Sequence, residues 1–305
     1  MSKDIKVGDL VEKVRSYHPA ADAEVIRKAY EFSAKVHQGQ KRASGEPYLI
    51  HPLAVASIIS DLKLDESSIV AGLLHDTVED TLTTLEELKS IFGKEITALV
   101  DGVTKLSRTN FSSREEKQAE NFRKMLGAMG KDVRVILIKL ADRVHNMRTL
   151  DHMPVDKQIL TAQESLDIYA PMAHRLGIAW IKTELEDLSL KYLHPEIYHQ
   201  LKRNVARKKT DREKYIEEVN SIIARKLESE GIEADVTGRP KHFFSIYQKM
   251  ESQNLLYDQI YDLVGFRVLV DTTREAYEAL GIIHSHWRPV SGRFMDYIAV
   301  PKPNM

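Results

Sequence analysis

His75, Asp76, Glu79 and Asp80 fall within one short stretch, LLHDTVED (73–80), behind two leucines and among small or apolar neighbours. On a single helix, residues four apart share a face, so His75 would stack under Glu79 and Asp76 under Asp80. His75 and Asp76 diverge by about 100° in projection, yet both can converge on one cation off the helix edge. A His-Asp pair in a mainly apolar helix is costly to bury without a ligand or partner. Two side chains do not close a site. A second imidazole, His51, precedes Pro52 in YLIHPLAV, and a further carboxylate, Asp142, stands in KLADRVHNMRTL. Alone, His51 also reads as a helix-entry residue, Asp142 as the salt-bridge partner of Arg143 or of a neighbouring helix, and Glu79 with Asp80 as solvated helix surface. Together, two imidazoles and two carboxylates leave open coordination positions and suit Mn²⁺, Fe²⁺, Zn²⁺ or Ni²⁺ better than a calcium cage.

These residues need helices to hold them. From about Asp22 to His199 the apolar residues recur at three- and four-residue spacing, as in Val133, Ile136, Leu137, Leu140, Val144 and Met147. Asp142 shares its stripe with Val135, Ile138, His145 and Thr149, a face that begins apolar and turns polar. Breaks fall at Gly39, Gly45, Pro47, Pro52, Gly93, Gly130, Pro154, Pro171 and Pro195. The spacing predicts an all-α domain over 1–200. Segment 201–230 is dense in charge, with a thin apolar seam at Tyr215, Val219, Ile222, Ile223 and Leu227, and reads as a connecting helix. After Gly231 the period changes. IEADVTG, LVGFRVLV and FMDYIAV read as strands, and HFFSIYQKMES and TREAYEALGIIHSHW as helices, so a partial α/β domain is expected over 231–305.

The chain of 305 residues is 43% hydrophobic, enough for two cored domains. Its 44 basic and 45 acidic residues nearly cancel, so any phosphate or nucleic-acid site must be local. Zero cysteines exclude disulfides, thiolate zinc sites and cysteine nucleophiles. There is no signal-like run and no stretch near the ~20 apolar residues of a membrane span, so the cytoplasm is the expected compartment.

The text HQGQKRASGEPYLIHPLAVA, LLHDTVEDT, LVDGVTKLS and LADRVHNMRTL resembles the Rel/Spo enzymes that make and degrade ppGpp and pppGpp. His51, the His75-Asp76 dyad and distant Asp142 are similar to the ligands of metal-dependent HD-superfamily phosphohydrolases, with HxxxED from His75 narrowing the match. The resemblance implies a Mn²⁺-dependent hydrolase that removes pyrophosphate from the nucleotide's 3′ position. It implies His51, His75, Asp76 and Asp142 as ligands, with Glu79 and Asp80 positioning or deprotonating the attacking water and helping the leaving group. The loop QKRASGEPY supplies phosphate and base contacts: Arg42 can stack on a purine, Lys41 adds a point charge, and Ser44 with backbone amides near Gly45 can donate. Many members carry a second basic residue where this chain has Ala43, which bears on phosphate binding. Asn146 and Thr149 resemble base or ribose contacts; His145 reads as a supporting histidine.

In the second half, TGRPKHFFSIYQKM sets Arg239, Lys241, Ser245 and Lys249 at a helix entrance, where phosphate is favoured. It resembles the ATP-phosphate region of a nucleotidyltransferase-like Rel/Spo synthetase domain, and Asp262 the family's Mg²⁺-binding aspartate. Met295 stands where lysine is common, and nothing matches the family's base-stacking tyrosine or catalytic glutamate. The synthetase half is therefore expected to be incomplete and inactive. Ribosome contact would need further C-terminal regions, and no specific nucleic acid or membrane partner is expected. Two alternatives remain: an HD nucleotidase or phosphodiesterase for another substrate, and a non-catalytic RNA- or partner-binding module using Lys202, Arg203, Arg207, Lys208 and Lys209.

Overall fold

A computed structural model describes residues 6–107, 127, 131–207, 209–260, 262–290, 292 and 294–301. The chain divides into two compact units, Met1–Pro195 and Glu196–Met305.

The named elements of the first unit are all helices, with one isolated antiparallel bridge, Lys41 to Pro47, among its described residues. In order come α1 (Val7–Tyr17), α2 (Ala23–Val36), α3 (Ile50–Asp61), α4 (Glu66–Leu74), α5 (Thr77–Asp80), α6 (Leu85–Ser107), α7 (Val133–Arg148), α8 (Val155–Glu164), α9 (Ala170–Arg175) and α10 (Ala179–Leu193). A 3₁₀ turn follows α7 at Leu150–His152, and a π turn joins α8 to α9 at Ser165–Tyr169. Gly93 interrupts α6 with φ of 84°, a left-handed conformation that glycine adopts without steric cost. Gly130, read as another break, lies outside the described residues.

One core runs through this unit, with Ile26, Val55, Ala56, Ile59, Ile69, Leu73, Leu74, Ile138, Leu140 and Val144 fully buried. Helix α4 is apolar on every side because it is enclosed, and Asp65 caps its start by accepting from the Ser68 amide at 3.1 Å. A side chain at Gly72 would collide with Ile59 of α3, so glycine is what lets α3 and α4 pack this closely. Asp132 caps α7 through the Arg134 amide at 2.9 Å.

LLHDTVED is not one continuous helix. α4 ends at Leu74, His75 and Asp76 form the junction, and α5 restarts at Thr77. The Thr77 hydroxyl donates to the Leu74 carbonyl at 2.7 Å. Local hydrogen bonding of this kind competes with the helical ladder. His75 and Glu79 thus belong to different elements, the first at the junction and the second on α5.

The second unit contains α11 (Pro195–Arg207), α12 (Lys209–Ser229), β1 (Asp235–Pro240), α13 (Phe243–Gln253), β2 (Val264–Leu269) and α14 (Thr273–His286). β1 and β2 pair antiparallel, with Val236 opposite Val268 and Gly238 opposite Phe266. Helices α12 and α14 cover this sheet through Val219, Ile223, Leu227, Ala279, Ile282 and Ile283. The charged segment read as a connector thus contributes its apolar seam to the core of this unit. FMDYIAV is not a strand: the Asp296 carboxylate accepts from the amides of Ile298 and Ala299, both at 2.9 Å, and winds the chain into a turn. No helix among the described residues is long and apolar enough to cross a membrane.

Candidate metal centre and nucleotide cavity

The junction between α4 and α5, the first turn of α3 and the middle of α7 meet inside the first unit. His51, His75 and Asp142 each offer a ligand atom within 4.8 Å of the others, and all three are buried. Asp76 completes the group. Its Oδ1 lies 3.0 Å from His75 Nε2 and its Oδ2 lies 3.3 Å from His51 Nε2. Asp142 Oδ1 stands 3.3 Å from His51 Nε2 and 3.8 Å from His75 Nε2.

The tautomer of His75 follows from its other nitrogen. Nδ1 is 2.8 Å from the Gly72 carbonyl, which can only accept, so Nδ1 carries the proton. Nε2 is buried without a hydrogen bond and points at the carboxylates. A buried polar atom in this state signals a missing partner, and the surrounding nitrogen and carboxylate donors fit a divalent cation. His51 is oriented in the same way, with Nδ1 2.8 Å from His145 Nδ1.

The electrostatics are those of a charged cluster held inside a protein. Burial alone would raise the carboxyl of Asp76, but His75 and His51 hold it well below the usual range. Burial likewise opposes ionisation of Asp142, and Lys139 with the two histidines outweighs it. Lys139 Nζ donates to Asp142 Oδ2 at 2.7 Å, leaving Oδ1 to face the imidazoles. The partner of Asp142 is therefore Lys139 and not Arg143, which pairs with Glu164 at 2.9 Å and lies over the Tyr169 ring at 4.0 Å.

Beside this cluster opens a cavity of about 430 Å³, lined by Lys41, Arg42, Ser44, Tyr48, Lys139, Asp142, Arg143, Asn146 and Thr149 among others. Arg42 donates to Asn146 Oδ1 at 3.0 Å and Thr149 Oγ1 at 3.2 Å, which aligns its guanidinium along α7. The two residues expected to touch the base or ribose thus hold Arg42 in place. Asn146 in turn donates to Asp142 Oδ1 at 2.6 Å, joining cavity and ligand group. Lys41 is exposed at the rim, and the Ser44 hydroxyl donates to Glu46 at 3.0 Å. Ala43 also lines the cavity, so cationic side chains from α7, Lys139 and Arg143, stand across from it.

Glu79 and Asp80 are both exposed on α5. Asp80 is tied to the centre by Tyr48, whose hydroxyl lies 2.6 Å from Asp80 Oδ2 and 2.7 Å from Asp76 Oδ2. Sequence reasoning passed over Tyr48 and Lys139. Tyr48 lies three residues before His51, in the turn that leads into α3, and Lys139 lies three before Asp142, one turn earlier on α7.

In the second unit, Lys241, Lys249 and Asp262 come together: Lys241 Nζ meets Asp262 Oδ2 at 2.5 Å and Lys249 pairs with Oδ1. The lysines hold the Asp262 carboxyl at about 2, against the effect of burial. Ser245 hydrogen-bonds to the His242 ring on the same face of α13, while Arg239 is exposed on β1. Side chains 207–212 lie outside the described residues, and with them Arg207, Lys208 and Lys209.

Comparison with known proteins was made for both units. Residues 29–179 match the HD domain family, and residues 238–305 match a region found in RelA / SpoT proteins. A GTP pyrophosphokinase of Myxococcus xanthus is 60% identical over 96% of this chain and 39% of its own length. A probable guanosine-3′,5′-bis(diphosphate) 3′-pyrophosphohydrolase of Synechocystis is 50% identical over 92% of this chain and 37% of its own length. The chain therefore spans well under half the length of these curated relatives. A solved metazoan ortholog of SpoT that hydrolyzes ppGpp is 27% identical over 57% of this chain and 93% of that one, with a TM-score of 0.36, too low to bear on the fold. With the HD half in front, the RelA / SpoT region behind it and relatives of this identity across nearly the whole chain, the protein belongs to the Rel/Spo family.

Proposed function

We propose that the first unit hydrolyses the 3′-pyrophosphate of ppGpp and pppGpp, giving GDP or GTP and pyrophosphate, with Mn²⁺ as its metal. The observation that carries this reading is the convergence of His51, His75, Asp76 and Asp142 beside a cavity that presents Arg42. Those four residues would hold the cation; when bound, a divalent ion lowers the pKa of water and offsets phosphate charge. The chain's own side chains do the rest. Arg42 stacks on the purine, kept in plane by Asn146 and Thr149. Lys41 and Ser44 meet phosphate at the rim. Glu79 and Asp80 orient the attacking water and accept its proton, and Asp80 is steadied at the edge of the ligand group.

In the second unit, Arg239, Lys241, Ser245 and Lys249 are read as ATP-phosphate contacts and Asp262 as a Mg²⁺ ligand. Pyrophosphate transfer also demands a held acceptor base and an activated hydroxyl. Residues 1–305 offer no candidate for either, so a polypeptide of these residues is expected to make no ppGpp from ATP and GDP. A cytoplasmic location goes with these nucleotide substrates.

Product analysis tests the reading. Labelled ppGpp incubated with the purified protein and Mn²⁺ should yield GDP and pyrophosphate, the reaction stopping with chelator and resuming with Mn²⁺. Intact ppGpp alongside turnover of another nucleotide would favour a nucleotidase or phosphodiesterase of the same HD type.

A further inference from the structure

Tyr48 closes a turn that touches the cavity with one side and the carboxylates with the other. The turn is tightly made. The Tyr48 amide donates to the Gln40 carbonyl at 3.1 Å, the Arg42 amide to the Glu46 carbonyl at 2.9 Å, and Lys41 pairs with Pro47 in an antiparallel bridge. The Tyr48 ring is fixed from several directions: His37 stacks on it at 4.5 Å and 22°, Arg42 lies over it at 5.8 Å, and it meets His51 edge-on at 6.0 Å. A ring held this way has little freedom to swing, so its hydroxyl is aimed by packing. It is aimed between Asp76 Oδ2 and Asp80 Oδ2, at 2.7 and 2.6 Å.

A second contact reaches the same place independently. Gln40 Nε2 donates to the backbone carbonyl of Asp80 at 3.1 Å, and its Oε1 is 2.7 Å from His37 Nδ1. Asp80 is thus held by side chain and by backbone from a single turn, the turn that presents Arg42.

We propose that Tyr48 is a positioning residue, whose hydroxyl clamps the metal-facing carboxylate of Asp76 and the exposed carboxylate of Asp80 into one register and so ties the nucleotide-binding turn to the hydrolytic edge. The hydroxyl has one proton, which the two carboxylate oxygens share, and that charge-assisted bond offsets part of the repulsion between the largely buried Asp76 and the exposed Asp80. The inference rests on the reading of Asp80 as part of the hydrolytic pair.

The test is Tyr48→Phe in the full chain, which keeps ring volume and the His37 stack, with a thermal melt to record folding. Mn²⁺ binding, followed by electron paramagnetic resonance of the free ion, should weaken roughly tenfold, and kcat on ppGpp should fall ~10–100-fold, in the range for residues that orient ligands. KM should stay within about twofold, since the ring that lines the cavity and lies under Arg42 is kept. If Tyr48 acts through Asp80, Tyr48→Phe with Asp80→Asn should lower kcat no further than Asp80→Asn alone. Unchanged Mn²⁺ affinity together with unchanged kcat overturns the clamp, as do losses that simply multiply in the double variant. A wild-type protein inert toward ppGpp would sink the substrate reading and leave the Mn²⁺ measurement to decide the clamp.

Discussion

His51 and His145 meet ring to ring, Nδ1 to Nδ1 at 2.8 Å, in the interior of the helical unit. Such a contact holds only if one nitrogen donates and the other accepts. Burial, then the charges of His51 and Arg42, push His145 down to about 3, so it is a neutral ring throughout the working range. With His51 donating from Nδ1, its Nε2 faces Asp76 and Asp142. His145→Phe should therefore weaken divalent-metal binding by roughly tenfold without removing a ligand. Equal dissociation constants by equilibrium dialysis would assign His145 to packing alone.

The ligands themselves should behave differently. His75→Ala and Asp142→Ala are expected to lose bound metal outright, as read by elemental analysis after gel filtration. Asp142→Ala also removes the carboxylate that Lys139 meets at 2.7 Å, so urea denaturation of the metal-free protein should show a loss of ~3 kcal/mol. Full metal content in both variants would dismantle the assignment.

Metal uptake should release protons. Burial would lower the His75 imidazole, but the carboxylates of Asp76 and Asp142 outweigh it and hold the metal-free ring up at about 10, against 6.5 for the free side chain. At pH 7.5 the metal-free ring is protonated, and a cation must displace that proton. Affinity should thus fall as pH is lowered. In the metal-free protein the sign reverses: this proton contributes stability fully below pH 6.5, and the contribution is lost as pH rises through about 10. Calorimetry in buffers of different ionisation enthalpy counts the released protons; none released at pH 7.5 contradicts the geometry.

Glu79→Gln keeps shape while removing a base. Hydrolysis at saturating ppGpp should slow by ~10²–10⁴-fold with metal content unchanged. A rate near that of the wild type would return Glu79 to the solvated end of α5.

Arg42→Ala should raise KM for ppGpp more than it lowers kcat, because stacking holds ground and transition states about equally. The hydrogen bonds to Asn146 and Thr149 disappear with it, so Arg42→Lys, which lacks the planar fork, should behave nearly as badly. An unchanged KM in Arg42→Ala would mean that other residues hold the base.

The candidate ligands, which the structure brings together, are legible because each carries its chemistry in its own side chain and sits in a recognisable run of text. What periodicity could not reveal was the break at His75 and Asp76. Apolar spacing continues across the junction, where the Thr77 hydroxyl turns back to the Leu74 carbonyl. Tyr48 was hidden for another reason: its partners lie 28 and 32 residues along the chain, and nothing local marks a tyrosine as a bridge. For Asp142, read as a ligand, the alternative is a salt bridge to Arg143 or to a neighbouring helix, yet the side chain that points the right way is Lys139, three residues earlier. FMDYIAV reads as a strand by composition, but one aspartate within it captures two amides and prevents an extended course.

Contacts that complete this centre join residues 94 and 104 positions apart, His51 to His145 and Arg42 to Asn146. Pairings of that separation require long loops to close before they return any stabilisation, so they belong to the late stages of folding. A cation held, as proposed, by side chains from α3, α7 and the α4–α5 junction would act as a cross-link over most of the helical unit. Because it binds the folded chain and not the unfolded one, its occupancy becomes part of the protein's thermal endurance. Starving cells of that metal would accordingly deplete the enzyme twice, by silencing molecules already made and by shortening the lifetime of those newly folded.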